Sequence, residues 1–163
     1  MSQRKKHIEE SVVNEPMAVY TTETNLFASI VGHTTRQFGK AGDYDLLQQS
    51  RKGVAKSIIL SLAKKISLSI QELSNIMHIS ERTLQRYDDD AIIKTEYAEK
   101  AIELARLYTR GEEVFNSMEK FKTWMKTPSV IFNNESPVTL LDTSFGFDMV
   151  FKELGRIEHG IFA

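Results

Sequence analysis

From Asp43 onward apolar residues recur at three- and four-residue intervals, the spacing of helices with one buried face. Asp43 stands as a cap before a short segment through Leu46 and Leu47, and Val54, Ile58, Ile59, Leu62 and Ile66 then fall on one face of a helix. Ser69 is followed three residues later by Glu72, the spacing of a capping box, in which each side chain satisfies a backbone N–H of the other residue. Leu68 and Leu73 hold the flanking staple positions, and the helix so opened is predicted to bury Ile70, Leu73, Ile76 and Met77. After only His78 and Ile79 comes a second N-cap, Ser80, again with staple residues, Ile79 and Leu84. Two short capped helices this close have the spacing of a helix-turn-helix, whose second helix is the reading element.

Thr95 caps a long amphipathic helix with Ala98, Ala101, Ile102, Ala105 and Tyr108 inward, and Gly111 either ends it or loosens it. Ser117 caps a helix carrying Met118, Phe121, Trp124 and Met125, which Thr127 and Pro128 stop. Asn133, Asn134 and Glu135 read as a turn, and Ser136 with Pro137 reads as an N-cap followed by proline at the first helical position. A last helix is predicted from about Ser144 to His159, with Phe147, Val150, Phe151, Leu154 and Ile157 inward and Gly160 as its stop. No internal repeat appears, and no alternating stretch is long enough for a large sheet, so the expected class is mainly all-α. Residues 1–42 lack sustained periodicity and read as a flexible arm with one ordered piece around Leu26 to Val31. The expected division is an arm over 1–42, a helix-turn-helix bundle over 43–111 and a small helical unit over 112–163.

Charge refines this division. The 21 basic and 22 acidic residues sum to -1, which argues against a surface that coats nucleic acid or acidic membrane as a whole. By segment the balance is +1 over 1–42 (five basic, four acidic), -2 over 43–50, +3 over 51–95 (eight against five) and -3 over 96–163 (eight against eleven). A mildly basic middle joined to an acidic C-terminal part suggests two surfaces with different partners. Cysteine is absent, which removes disulfides, thiolate metal sites and cysteine nucleophiles and suits a reducing cytoplasm. No apolar run reaches membrane-spanning length, so the expectation is a cytoplasmic protein with no membrane partner.

Candidate chemistry is sparse. His7, His33, His78 and His159 are scattered, none belongs to a metal-ligand motif, and no glycine-rich phosphate loop is present. The expectation is no catalytic residue, no metal and no cofactor. On the second short helix, Leu84 and Tyr87 point inward while Glu81, Arg82, Gln85 and Arg86 share the outer face. Arg82, Gln85 and Arg86 suit base edges, and Ser80 or Thr83 suits a phosphate at the helix start; the plain alternative is a solvated face. Asp88, Asp89 and Asp90 directly after this helix oppose phosphate unless they point away, and Lys52, Lys56, Lys64, Lys65 and Lys94 are candidate backbone contacts. Phe121, Trp124, Phe145, Phe147, Phe151 and Phe162 concentrate aromatic area late in the chain, most of it core by helical spacing. Ile161, Phe162 and Ala163 lie beyond the Gly160 stop, and such a triplet either folds back on its helix or inserts into a partner.

The order of residues Phe121, Trp124, Pro128, Pro137, Leu140, Leu141, Thr143, Gly146, Val150, Leu154, Gly155, Arg156, Ile157, Glu158, His159 and Gly160 resembles the toxin-binding domain of Xre/MbcA/ParS-type antitoxins. With the helix-turn-helix ahead of it, the resemblance spans roughly residues 55–163. It implies a type II antitoxin that binds a RES-domain toxin, an ADP-ribosyltransferase-like enzyme that consumes NAD, and covers its active-site cleft. It also implies self-association as a homodimer or a toxin-bridged hetero-oligomer, and contact with the operator DNA of its own gene pair. Trp124, Pro137, Leu141, Gly146 and Leu154 match scaffold positions of that domain, while Arg156, Glu158, Gly160, Ile161 and Phe162 fall where toxin contact is expected. Asn133 and Asn134 stand where many relatives have a glycine pair, and the aspartate triplet replaces a more neutral stretch. The rival readings are a stand-alone repressor whose C-terminal helices only dimerise and, more remotely, a small enzyme.

Overall fold

A computed structural model describes residues 43–93 and 95–160. The expected arm with its Leu26–Val31 piece, His7, His33, Lys94 and the 161–163 triplet lie outside the described residues. Helix α1 (Asp43–Lys52) leads into a short strand β1 (Val54–Ala55), then α2 (Lys56–Lys65), α3 (Ile70–Met77) and α4 (Glu81–Arg86). Strand β2 (Ile92–Ile93) and the long helix α5 (Thr95–Phe115) follow, then α6 (Met118–Lys126), 3-10 turns at Val130–Phe132 and Pro137–Asp142, and α7 (Ser144–Glu158). Mainly helical architecture is thus what the periodicity implies. The side chain of Asp43, read as the first cap, is outside the described ones.

Strong local signals produced their elements. Ser69 Oγ accepts from the Glu72 N–H at 3.1 Å while Glu72 Oε2 accepts from the Ser69 N–H at 2.7 Å, completing the capping box of α3. Ser117 likewise accepts from the Lys120 N–H at the start of α6. Asn133 and Asn134 both adopt left-handed backbone, φ 56° and 66°, a conformation that glycine takes freely and asparagine more readily than most other residues. That explains how this chain dispenses with a glycine pair there.

Several expectations are corrected. Val54 belongs to β1, not to the helix after it: β1 pairs antiparallel with β2, Val54 opposite Ile93 and Ala55 opposite Ile92. The N–H groups that open α2 are satisfied by the loop beyond α4, Lys56 N donating to Ala91 O and Ser57 N to Asp89 O, each at 3.0 Å. Thr95 is the first residue of α5 rather than a residue before it, and Ile70, at the exposed first turn of α3, is 40% accessible. Ser136 is the N-cap and Pro137 opens the helix as expected, although that helix is 3-10 and the Ser136 side chain makes no cap bond. Of the late aromatic residues Phe121, Trp124, Phe145, Phe147 and Phe151, Phe145 lies outside the core.

Gly111 neither ends nor loosens α5, which runs on to Phe115. It is the contact point for Phe121 of α6: a Cβ there would sit 2.3 Å from the ring. Phe121 is fully buried, edge-on to Tyr108 at 5.1 Å and stacked with Trp124 at 5.7 Å. Through such contacts α5 carries elements from both ends of the chain, and the buried apolar residues form one continuous cluster from Leu46 to Leu154. Two further ties join the N-terminal helices to the C-terminal ones. Lys126 Nζ of α6 donates to Ser67 O at 2.7 Å beyond α2, and His78 Nε2 bonds Asp142 O at 2.6 Å.

Candidate functional site

The first candidate surface is the outer face of α4. Ser80 holds extended backbone and its Oγ accepts from the Thr83 N–H at 3.0 Å, closing the first turn. The Ser80 and Thr83 hydroxyls also bond each other at 2.7 Å, which occupies one hydroxyl hydrogen and leaves the other free to donate outward. Leu84, fully buried, pins the inner side, and Arg82, Thr83, Gln85 and Arg86 are all exposed. The predicted reading residues therefore share one solvent-facing surface on a helix held from beneath.

Lys56 behaves differently from its assignment as a phosphate contact. Its ammonium donates to Tyr87 O at 2.7 Å and pairs with Asp89 Oδ1 at 3.0 Å, with 11% of the side chain accessible. The exit of α4 is thus clamped to the start of α2, and one of the three aspartates, though exposed, is paired with that clamp. Its main chain serves the same junction, because Asp89 O receives Ser57 N. Lys52, Lys64 and Lys65 are exposed.

The second surface is α7. Thr143 caps it, its Oγ1 accepting from the Gly146 N–H at 3.0 Å. Gly146 is required because the preceding 3-10 helix crosses directly over it: a Cβ would lie 1.7 Å from Leu140 O. The inner side is fixed by buried Phe147, Val150 and Leu154, by Lys100 Nζ 4.7 Å above the Phe147 ring, and by a Glu158–Arg110 ion pair to α5. Of the predicted scaffold residues, Pro137, Leu141, Gly146 and Leu154 are buried, and Trp124 is half-buried among Phe115, Phe121 and Phe132.

The predicted contact residues at the end of α7 separate. Arg156 faces outward, 3.7 Å from Glu153, whereas Glu158 turns back to Arg110; Gly160 is exposed in left-handed backbone with φ 66°. Ile161 and Phe162 lie outside the described residues. Sequence reasoning missed Phe145 and Met149, which are 83% and 46% accessible and one turn apart on the outer side of α7. The signal was present, since both fall off the Phe147–Val150–Leu154 stripe.

Residues 45–106 match the family described as the antitoxin Xre-like helix-turn-helix domain, and residues 110–160 match the antitoxin Xre/MbcA/ParS C-terminal toxin-binding domain. The chain belongs to the Xre/MbcA/ParS antitoxin family. Among its relatives are "Antitoxin Xre" of Yersinia enterocolitica, 28% identical over 120 residues, covering 72% of this chain and 81% of that one. "Prs ADP-ribosylating antitoxin" of a Sphingobium species is 23% identical over 134 residues, 76% of this chain and 84% of that one. The first match ends and the second begins inside α5, so this antitoxin's two modules share one helix. Among the described residues no helix is long and apolar enough to cross a membrane, and no group of three or more His, Asp or Glu could hold a metal ion.

Proposed function

We propose that this antitoxin neutralises a RES-domain toxin of the NAD-consuming, ADP-ribosyltransferase-like kind by covering its active site, and that it represses its own operon by reading operator DNA with α4. It acts by binding alone, without catalysis. The observation that carries the toxin reading is the end of α7. The helix is held to α5 on its inner side, while Gly160 is exposed and the half-buried Arg156 keeps 42% of its side chain accessible where the family resemblance implies toxin contact. The name of the Sphingobium relative links that antitoxin to ADP-ribosylation, chemistry of the class expected of a RES toxin.

The DNA reading is supported by Arg82, Gln85 and Arg86 on one face with the hydroxyls of Ser80 and Thr83 at its start. A single short helix with three exposed aspartates behind it binds modestly, so a homodimer or toxin-bridged hetero-oligomer presents two copies to two half-sites. Removing residues 160–163 is expected to restore toxin turnover while part of the binding survives. Full neutralisation by the shortened chain would contradict a tail that plugs the active site.

A further inference from the structure

We infer that the toxin docks along the solvent face of α7 well before its C-terminal end, with Phe145 and Met149 as apolar anchors and Gly155 as the point of closest approach. The inference rests on the toxin-binding reading above and deepens it. At 100° per residue, Phe145, Met149, Lys152 and Arg156 fall within a stripe about 60° wide and about 16 Å long. Gly155 borders that stripe.

Two independent features of this stripe have no explanation within the fold. The core contacts of α7 run through Phe147, Val150 and Leu154, whereas Phe145 and Met149 leave 83% and 46% of their surface accessible. Isolated exposed apolar residues are ordinary, but these two stand one turn apart on the same face as Arg156. Gly155 is the second feature. It lies inside the helix with ordinary helical backbone, and a Cβ at that position would meet nothing within 4 Å among the described residues. Glycine in a helix interior costs stability relative to alanine, and neither its backbone conformation nor the space left by the described residues requires it here. A bare helix surface does admit the main chain of another molecule.

The occupant is the toxin because the stripe lies wholly within residues 110–160, the toxin-binding match, and continues into the end of α7. Its chemistry defines the complementary surface: an apolar pocket for Phe145 and Met149, with carboxylates opposite Lys152 and Arg156.

The test uses the full chain and the purified product of the adjacent reading frame, with binding measured by calorimetry and each free variant's melting temperature recorded. Phe145→Ala with Met149→Ala is expected to leave melting nearly unchanged and weaken toxin binding about 30-fold or more, as hot-spot anchors do. Gly155→Ala is expected to raise the melting temperature of the free antitoxin while weakening toxin binding about tenfold, the effect of one methyl group in a close contact. These opposite signs are diagnostic, since a glycine kept for folding would lower both. Wild-type toxin affinity in both variants overturns the inference. So does a shift of the free antitoxin to smaller oligomers at constant toxin affinity, which makes the face a contact between copies. If the wild-type chain itself fails to bind that product, the proposed function falls and this surface with it.

Discussion

Helices α4 and α7 are built by the same local physics and present opposite chemistry. Each begins at a hydroxyl side chain that accepts a backbone N–H three residues on, Ser80 from Thr83 and Thr143 from Gly146. Each is held from beneath by fully buried residues, Leu84 in one and Val150 and Leu154 in the other. The outer face of α4 carries Arg82, Gln85 and Arg86, whereas that of α7 carries Phe145 and Met149, with Lys152 and Arg156 beyond them and Gly155 between the two cations. Folding requirements do not distinguish them; their outer faces do. Hydrogen-bonding side chains suit a hydrated, charged groove, and an apolar patch suits a protein surface that excludes water.

If the two faces are separable, the largest effect follows from Arg82→Ala with Arg86→Ala. Loss of two base or phosphate contacts is expected to cost about 2–6 kcal/mol of operator affinity, at roughly 1–3 each, in a gel-shift titration. Toxin affinity should not move. Next comes Gly146→Ala, which drives a methyl group into Leu140 O and is expected to destabilise the fold by about 1–3 kcal/mol in chemical denaturation. Because α5 joins both modules, that loss should appear as one cooperative transition; two transitions would show that the modules fold independently.

A smaller effect tests how α4 is held. Lys56→Met removes the donor to Tyr87 O and frees the Asp89 carboxylate, so operator affinity should fall by about 1 kcal/mol, with steeper loss at low salt. Undiminished affinity would mean that the clamp does not orient α4.

The smallest effect concerns Tyr108, whose buried hydroxyl has no partner among the described residues and whose burial raises the phenol well above its usual range. Unfolding releases a phenol that ionises near pH 10, so stability is intact below about pH 10 and declines as pH rises further. Tyr108→Phe should change neutral-pH stability by no more than about 1 kcal/mol, in either direction, and reduce the alkaline decline.

Features confined to three or four neighbouring residues were legible in the sequence: the Ser69–Glu72 box, the Ser80 and Ser117 caps and the inward stripe of α7 all formed as their spacing implies. What escaped it depends on distant partners. Val54 becomes a strand residue because Ile93 lies opposite, Gly111 is a packing site because Phe121 returns to it, and Lys56 is absorbed by Tyr87 and Asp89. The polar outer face of α4 was legible because polar residues on an amphipathic helix stand out. Phe145 and Met149 carry a signal too, since both fall off the Phe147–Val150–Leu154 stripe, but it is easily overridden because aromatic and aliphatic residues in a helix are usually core.

The central claim is neutralisation by occlusion, and the most direct measurement is NAD consumption by the purified product of the adjacent reading frame, titrated with the full chain. Turnover should fall linearly to near zero at a fixed stoichiometric ratio and remain suppressed with the Arg82→Ala, Arg86→Ala variant. Unchanged turnover in a complex that still co-elutes would show that binding leaves the active site open, and would contradict the account.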